Sequence, residues 1–290
     1  MTDYSKIAGL IAEDFYMGRF DLSNRPSVSS ASSWASMPHV ECVKYLRDSS
    51  ASDLTVLLFI TFLAAVDRCR DSEKVWWNGL ELFEEHPEVF DPLALLNISV
   101  DDLGSILHET GLSEGDHAQA QVWLRIAQTI TLESHCPVSR LIYGNSVDVK
   151  NLLDDLSTRS EEGENRFPIL SGAKASSIWL RMLVNPGGAK ISHLDRLPVN
   201  VDSFVSKATD NLGMSKKSNL DSNKDAEYIQ SVWKSAISTA DFEAPEGFSN
   251  TCAGLDPALS FFSKFGCGHC TKTGKPVRIG IACNHCRLFL

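Results

Sequence analysis

The sequence predicts an all-α fold, and three observations support this prediction. Apolar residues recur at spacings of three and four along most of the chain, as in segments 54–66, 122–130 and 178–183. Strand-like alternation of apolar and polar residues is scarce before the cysteine-rich C-terminal segment. Capping residues and helix-ending glycines lie at the ends of several periodic segments. With 290 residues, of which 43% are hydrophobic, the chain can bury a large core.

The expected helices share this periodicity and, in chain order, cover residues 4–17, 43–46, 54–66, 75–83, 103–107, 122–130, 149–156, 178–183 and 201–212. Ser99 is suited to cap one helix, which has acidic residues in its first turn and ends at Gly111. Ser146 and Asp148 open a later helix. The Asn-Pro-Gly-Gly sequence at 185–188 interrupts the helical pattern that precedes it.

Charge divides the chain into three predicted segments. Residues 1–165 form an acidic helical body with 12 Lys and Arg against 27 Asp and Glu. Residues 166–250 begin with a basic stretch and are expected to pack on that body. Residues 257–290 contain 5 Lys and Arg and no acidic residue. The net charge of −10 argues against a nucleic-acid partner, but two basic segments on an acidic body favour one face that meets phosphate.

No run of eighteen uncharged apolar residues occurs, and the longest candidate, 54–66, is too short to span a bilayer. We therefore expect no membrane partner. The N-terminal segment lacks the basic region and cleavage site of a secretory signal. The scattered cysteines at 42, 69, 136 and 252 resemble ordinary buried thiols, which suits a reducing compartment. These features predict a cytoplasmic protein, or a nuclear one in a eukaryote.

Two near-identical cysteine pairs lie near the end of the chain, Cys267 with Cys270 and Cys283 with Cys286. The spacing predicts a small four-cysteine zinc ribbon, because two tight turns that each supply two sulfur ligands match tetrahedral zinc. The histidine inside each pair is an alternative ligand. A single Cys-Gly-His-Cys sequence would also suit thiol–disulfide exchange, so redox chemistry is the competing interpretation.

Three further segments carry a resemblance to a known family. Residues 167–175 read Phe-Pro-Ile-Leu-Ser-Gly-Ala-Lys-Ala, and residues 197–205 read Leu-Pro-Val-Asn-Val-Asp-Ser-Phe-Val. Upstream, residues 76–127 combine a Phe-Asp-Pro-Leu-Ala link with a capped helix that ends in glycine. In order and spacing these segments resemble the helix-hairpin-helix DNA glycosylases over roughly residues 55–215. The match implies a two-lobed helical bundle of that type, with the ribbon outside it.

The resemblance implies a catalytic pair, Lys174 and Asp202. The two residues are 28 positions apart, which exceeds the usual separation and is similar to the connection in archaeal 8-oxoguanine DNA glycosylases. Two departures from the family pattern are a shorter hairpin with one glycine and Ser203-Phe204 in place of threonine-histidine. The four-cysteine iron–sulfur spacing of the endonuclease III branch is absent.

Base excision with strand cleavage needs both a carboxylate and an amine. Cleavage of a base from deoxyribose develops positive charge on the sugar, which a carboxylate stabilises, and an amine that captures C1′ forms a Schiff base. The expected DNA contacts come from the hairpin and from nearby cations, namely Ser171, Gly172, Ala173, Arg181, Lys190 and Lys207. The flipped base needs an apolar or aromatic sandwich, for which Trp76, Trp77 and Trp179 are candidates, although tryptophan in a helical core more often serves packing.

The sequence thus predicts a DNA glycosylase with AP lyase activity that excises a damaged or modified purine from double-stranded DNA, with zinc as a structural cofactor. One alternative is an N-glycosidase that acts on a free modified nucleotide, which the acidic net charge favours. A second alternative is a non-catalytic adaptor that binds nucleic acid or protein. The sequence identifies no protein partner.

Overall fold

The computed structural model describes residues 4–23, 33–67, 72–115, 117–160, 163–214, 222–274 and 277–289. These residues are predominantly helical, which confirms the all-α prediction. In chain order the helices are α1 (Tyr4–Tyr16), α2 (Pro38–Asp48), α3 (Asp53–Val66), α4 (Ser72–Glu85), α5 (Pro92–Leu95), α6 (Val100–Glu109), α7 (Ala118–Leu132), α8 (Pro137–Ile142), α9 (Val149–Ser157), α10 (Ala173–Val184), α11 (Ser203–Asn211), α12 (Ser222–Ser238), α13 (Cys252–Phe261) and α14 (Gly268–Thr273). Two short strands, β1 (Val147–Asp148) and β2 (Ile191–Ser192), pair in parallel.

The chain divides into two compact units. The central unit comprises Pro38–His193, and the terminal unit comprises Met1–Met37 together with Leu194–Leu290. In the described part of the chain, no helix is both long and apolar enough to cross a membrane.

The core of the central unit is built around α3, whose apolar residues are buried on almost every side. Helices α2, α4, α7 and α10 all pack against it. Phe62 of α3 contacts Trp123 of α7 with ring centroids 4.9 Å apart. Gly79 of α4 permits close packing, since a Cβ there would lie 2.4 Å from Leu63 Cδ1. The strongly apolar 54–66 segment is therefore a buried core helix.

The terminal unit forms around α1, which packs on α12 and α13. Phe15 of α1 lies against Phe261, with ring centroids 5.5 Å apart. Asp14 is buried and accepts a hydrogen bond of 2.7 Å from the backbone N–H of Ile281. This contact ties the N-terminal helix to the segment that carries the second cysteine pair.

The two units do not follow the three segments expected from charge. Segment 1–165 is divided because α1 packs on C-terminal helices, which bury its apolar face. Segment 166–250 is divided because α10 packs on α3 and so belongs to the central unit. Charge along the chain is a surface property, whereas these groupings follow apolar contact.

The described part of the C-terminal segment is helical, and the zinc ribbon expected there is not confirmed. Helix α13 continues through a π-helical segment, Phe262–Cys267, into α14, and the second cysteine pair begins in a 3₁₀ segment, Ile281–His285. No strand occurs among the described residues of 257–290. The physical reason is the apolar run that precedes Cys267: Phe261 and Phe262 are buried, so the helix extends into the first pair.

Candidate functional site

The turn at 167–172 positions Lys174. Phe167 and Leu170 are fully buried and anchor the turn in the central unit. Ile169 adopts a left-handed backbone conformation (φ 66°), and Gly172 occupies the N-cap of α10 without a side-chain cap. Helix α10 then begins at Ala173, so Lys174 lies in its first turn with an exposed side chain.

Lys174 lines a pocket of about 520 Å³. The pocket lies between the C-terminal end of α3 and one face of α10, and its wall is mostly apolar. Ile178, Trp179 and Met182 contribute the larger apolar side chains. Trp179 is fully buried and its Nε1 donates to Thr61 Oγ1 at 3.2 Å, so this tryptophan forms a fixed part of the wall.

The same pocket is lined by Asp67, the residue directly after the apolar segment 54–66. Asp67 is the C-cap residue of α3. Its Oδ2 accepts hydrogen bonds from Trp76 Nε1 at 3.0 Å and from Ser72 Oγ at 2.7 Å. The local signal for this position was a carboxylate directly after a buried helix. Its proximity to the 167–175 segment depends on how α3 and α10 pack.

The predicted DNA-contacting residues have different environments. Gly172, Ala173 and Lys190 are exposed in the central unit. Ser171 is partly buried, and its hydroxyl accepts a hydrogen bond of 2.6 Å from Asn165 Nδ2. Lys207 is exposed on α11 in the terminal unit.

Arg181 does not suit the phosphate contact predicted for it. Its side chain is only 7% exposed, because α10 turns this position toward the interior of the central unit. Burial, together with the charge of Arg181, lowers the pKa of His39 to about 3. Arg181 is therefore a buried cation beside a buried histidine.

Asp202 is the N-cap of α11. Its Oδ1 accepts hydrogen bonds of 2.9 Å from the backbone N–H groups of Phe204 and Val205. This capping role is sufficient to explain an aspartate at the position. Asp202 belongs to the terminal unit and Lys174 to the central unit, so the proposed pair is divided between the two units.

The four C-terminal cysteines are all buried, with exposed fractions between 4% and 6%. Burial raises the pKa of the Cys267 thiol, and Cys286, Cys283 and Cys270 raise it further, so the four sulfur atoms lie near one another. Burial also raises the pKa of Cys283 and of Cys286. The backbone N–H of Val277 donates to Cys270 Sγ at 3.1 Å.

This set of four thiols fits the chemistry of zinc, which binds four sulfur ligands in structural sites. Backbone N–H groups often donate hydrogen bonds to such sulfur ligands. The described residues nevertheless include no group of three or more His, Cys, Asp or Glu side chains arranged as a ready-made metal site.

Comparisons of this chain with protein families, with curated proteins and with solved structures find no match.

Proposed function

We propose that this protein is a DNA glycosylase with AP lyase activity that acts on a damaged or modified purine. The observation that carries the proposal is Lys174, an exposed lysine in the first turn of α10 that lines a mostly apolar pocket. The volume of about 520 Å³ falls within the usual range of ligand sites, about 300 to 1,000 Å³. A base flipped out of the helix needs an apolar enclosure of this kind.

In the proposed reaction the neutral amine of Lys174 attacks C1′ as the bond from C1′ to the base breaks, and the proton that the amine loses passes to the departing base. The C1′–O4′ bond then opens as O4′ takes a proton from water, and the iminium that forms permits strand cleavage by β-elimination of the 3′ phosphate. A carboxylate beside C1′ would stabilise the positive charge that develops on the sugar, which is the role that the family resemblance implies for Asp202. Lysine is a weak nucleophile while it is protonated. Because Lys174 is exposed, the bound DNA would itself have to exclude water from the amine.

The turn at 167–172 and the start of α10 support the proposed contact with the DNA backbone. The first turn of α10 begins at Ala173 without a side-chain cap, so backbone N–H groups at this end suit a phosphate oxygen. Lys190 of the same unit supplies an exposed cation. We also propose that Cys267, Cys270, Cys283 and Cys286 hold a structural zinc ion, on the basis of their burial and mutual proximity.

The decisive experiment is borohydride trapping with duplex DNA that carries a panel of modified purines. We expect a covalent protein–DNA adduct, because borohydride reduces the iminium to a stable amine. The variant Lys174→Ala should lose the adduct and keep its DNA affinity. Lys150→Ala is a matched control, since Lys150 is also an exposed lysine in the first turn of a helix of the central unit.

An adduct that persists in Lys174→Ala would contradict the assignment of the nucleophile. If no modified purine yields an adduct, the lyase proposal fails. The net charge of −10 favours one alternative, an N-glycosidase that acts on a free nucleotide. A duplex affinity that falls steeply with salt supports DNA as the substrate, whereas turnover of a free nucleotide without DNA binding supports that alternative.

A further inference from the structure

Asn211, the last residue of α11, is linked to both cysteine pairs of the terminal unit. Its backbone carbonyl accepts a hydrogen bond of 2.7 Å from the N–H of Arg287, the residue directly after Cys286. Its side chain acts on Cys267 of the first pair. Helix α11 also packs against the π-helical segment Phe262–Cys267. One residue of α11 therefore connects this helix to both pairs.

The side-chain amide of Asn211 is a buried donor without an acceptor. Its Nδ2 is shielded from solvent and makes no hydrogen bond within the part of the chain that the structure describes. Donors that are buried without a partner are unfavourable, and they are rare in native proteins. The amide therefore indicates an acceptor that becomes strong only in another state of the site, such as a state with a bound metal ion.

Cys267 is the acceptor toward which this amide is directed. Burial is the main cause that raises the pKa of the Cys267 thiol, and the other three cysteines raise it further, but the Asn211 side chain lowers it. An N–H donor lowers the pKa of a thiol because it stabilises the negatively charged sulfur. A neutral thiol is only a weak acceptor, whereas hydrogen bonds to an ionised acceptor are strong. The amide thus suits a sulfur that has lost its proton, which is the form that binds a metal.

Cys270 of the same pair has a comparable donor, because the backbone N–H of Val277 donates to its Sγ at 3.1 Å. Four thiolates place a net negative charge on a zinc site, and hydrogen bonds to the sulfur ligands orient them and stabilise that charge. The Val277 donor belongs to the backbone. The Asn211 donor belongs to a side chain, so a substitution can remove it.

We propose that Asn211 is a positioning residue of the metal site, where its side-chain amide donates a hydrogen bond to the zinc-bound thiolate of Cys267. The inference rests on the zinc site proposed above and is independent of the glycosylase reaction. It goes beyond that site by naming a residue outside the four cysteines on which the metal affinity depends.

The test measures the zinc affinity of the full-length protein by competition with a chromogenic chelator. Asn211→Leu removes the donor and keeps a side chain of similar size, and Asn211→Asp places a negative oxygen beside the thiolate. Both variants keep the backbone carbonyl that binds Arg287, so we expect them to fold. Loss of a partner to a metal ligand weakens metal binding about tenfold to a hundredfold. We expect a loss in this range for Asn211→Leu and a larger loss for Asn211→Asp.

The matched control is Asn284→Asp. Asn284 lies between Cys283 and Cys286, and its side chain is exposed. This variant adds the same charge close to the site, where water and salt screen it, and it leaves the Asn211 amide in place. It should therefore weaken zinc binding less than Asn211→Leu does.

A spectroscopic measurement with Co²⁺ in place of zinc separates the donor from a general effect on folding. Thiolate ligands give a sulfur-to-cobalt charge-transfer band, and a hydrogen bond to the sulfur lowers the energy of the sulfur electrons. Loss of this bond in Asn211→Leu should move the band to longer wavelength. A smaller population of folded protein would weaken the band without moving it.

Wild-type zinc affinity in Asn211→Leu, an unmoved cobalt band in that variant, or an equal loss of affinity in Asn284→Asp would each overturn the inference. A wild-type chain that binds neither metal would overturn it together with the zinc site.

The glycosylase proposal fails separately. If Lys174 forms the DNA adduct but Asn211→Leu binds zinc as the wild type does, the glycosylase proposal stands and this inference fails. If no adduct forms but Asn211→Leu loses zinc affinity and shifts the cobalt band, the reverse holds.

Discussion

At the scale of single residues, the central unit contains a histidine buried beside a cation. His39 is 9% exposed, and its ring lies 5.6 Å from that of Trp76. Burial is the main cause that lowers the pKa of His39 to about 3, and the charge of Arg181 adds to it. The folded protein therefore keeps His39 neutral under conditions in which an unfolded chain would protonate it.

This histidine makes stability depend on pH. Because the folded pKa is depressed below the ordinary value of 6.5, the unfolded state binds the proton first, and stability is lost as the pH falls below 6.5 toward 3. Between pH 7 and pH 5 this difference costs about 2 kcal/mol of unfolding free energy. Urea unfolding at both values should show that loss in the wild type, and His39→Gln should reduce it.

The matched control is His135→Gln, because His135 is exposed and its side chain meets water in the folded state as well. An identical loss of stability in the wild type and in His39→Gln would contradict the role assigned to His39. At this scale the sequence revealed residue types but not environments. Arg181 and Lys190 look alike in a sequence, and only packing buries the first and exposes the second.

At the scale of secondary-structure elements, helix ends were the features best predicted from the sequence. Ser99 caps α6, with its Oγ accepting from the N–H of Asp102 at 3.1 Å, and Gly111 follows that helix with φ 71°. Asp148 caps α9. Helix α10 ends at Val184, directly before the predicted break at 185–188. These features are local, because a cap bonds backbone groups two or three residues away.

Substitutions of Asp202 test whether this capping residue also has a catalytic role. Removal of the cap in Asp202→Ala should lower the unfolding free energy by about 1 kcal/mol, as measured by urea denaturation, since two backbone N–H groups at the start of α11 lose their acceptor. Asp202→Asn retains a side-chain acceptor and should keep most of that stability. If Asp202 also stabilises charge in catalysis, Asp202→Asn should still lose base excision on the substrate that gives the trapped adduct.

Full excision activity in a well-folded Asp202→Asn variant would show that Asp202 acts only as a helix cap. A fall in stability equal to that of Asp202→Ala would show that the asparagine does not cap α11. That result would contradict the prediction that Asp202→Asn keeps most of the stability.

At the scale of the whole molecule, the proposed zinc ion should make the stability of the terminal unit depend on metal binding by the four C-terminal cysteines. We expect one zinc ion per purified chain by elemental analysis, and less in Cys270→Ser, which replaces a buried sulfur ligand. Removal of zinc with a chelator should lower the thermal midpoint of the terminal unit, because binding free energy of a structural metal is also folding free energy.

Cys42→Ser is the control, since Cys42 is an equally buried thiol of the central unit and should leave the zinc content unchanged. A chain that contains no zinc and whose C-terminal cysteines form disulfides reversibly would instead support the redox interpretation.

The sequence by itself determined the helical class, the caps and breaks of the helices, and the presence of four closely spaced cysteines near the C-terminus. Each of these follows from periodicity or from chemistry within a few residues of the chain. Tertiary structure decided that α1 joins the C-terminal helices, that Arg181 is buried, that a helix continues into the first cysteine pair, and that Asp67 shares a pocket with Lys174. The physical reason is that apolar burial selects partners far apart in the chain, and no local pattern specifies which faces meet.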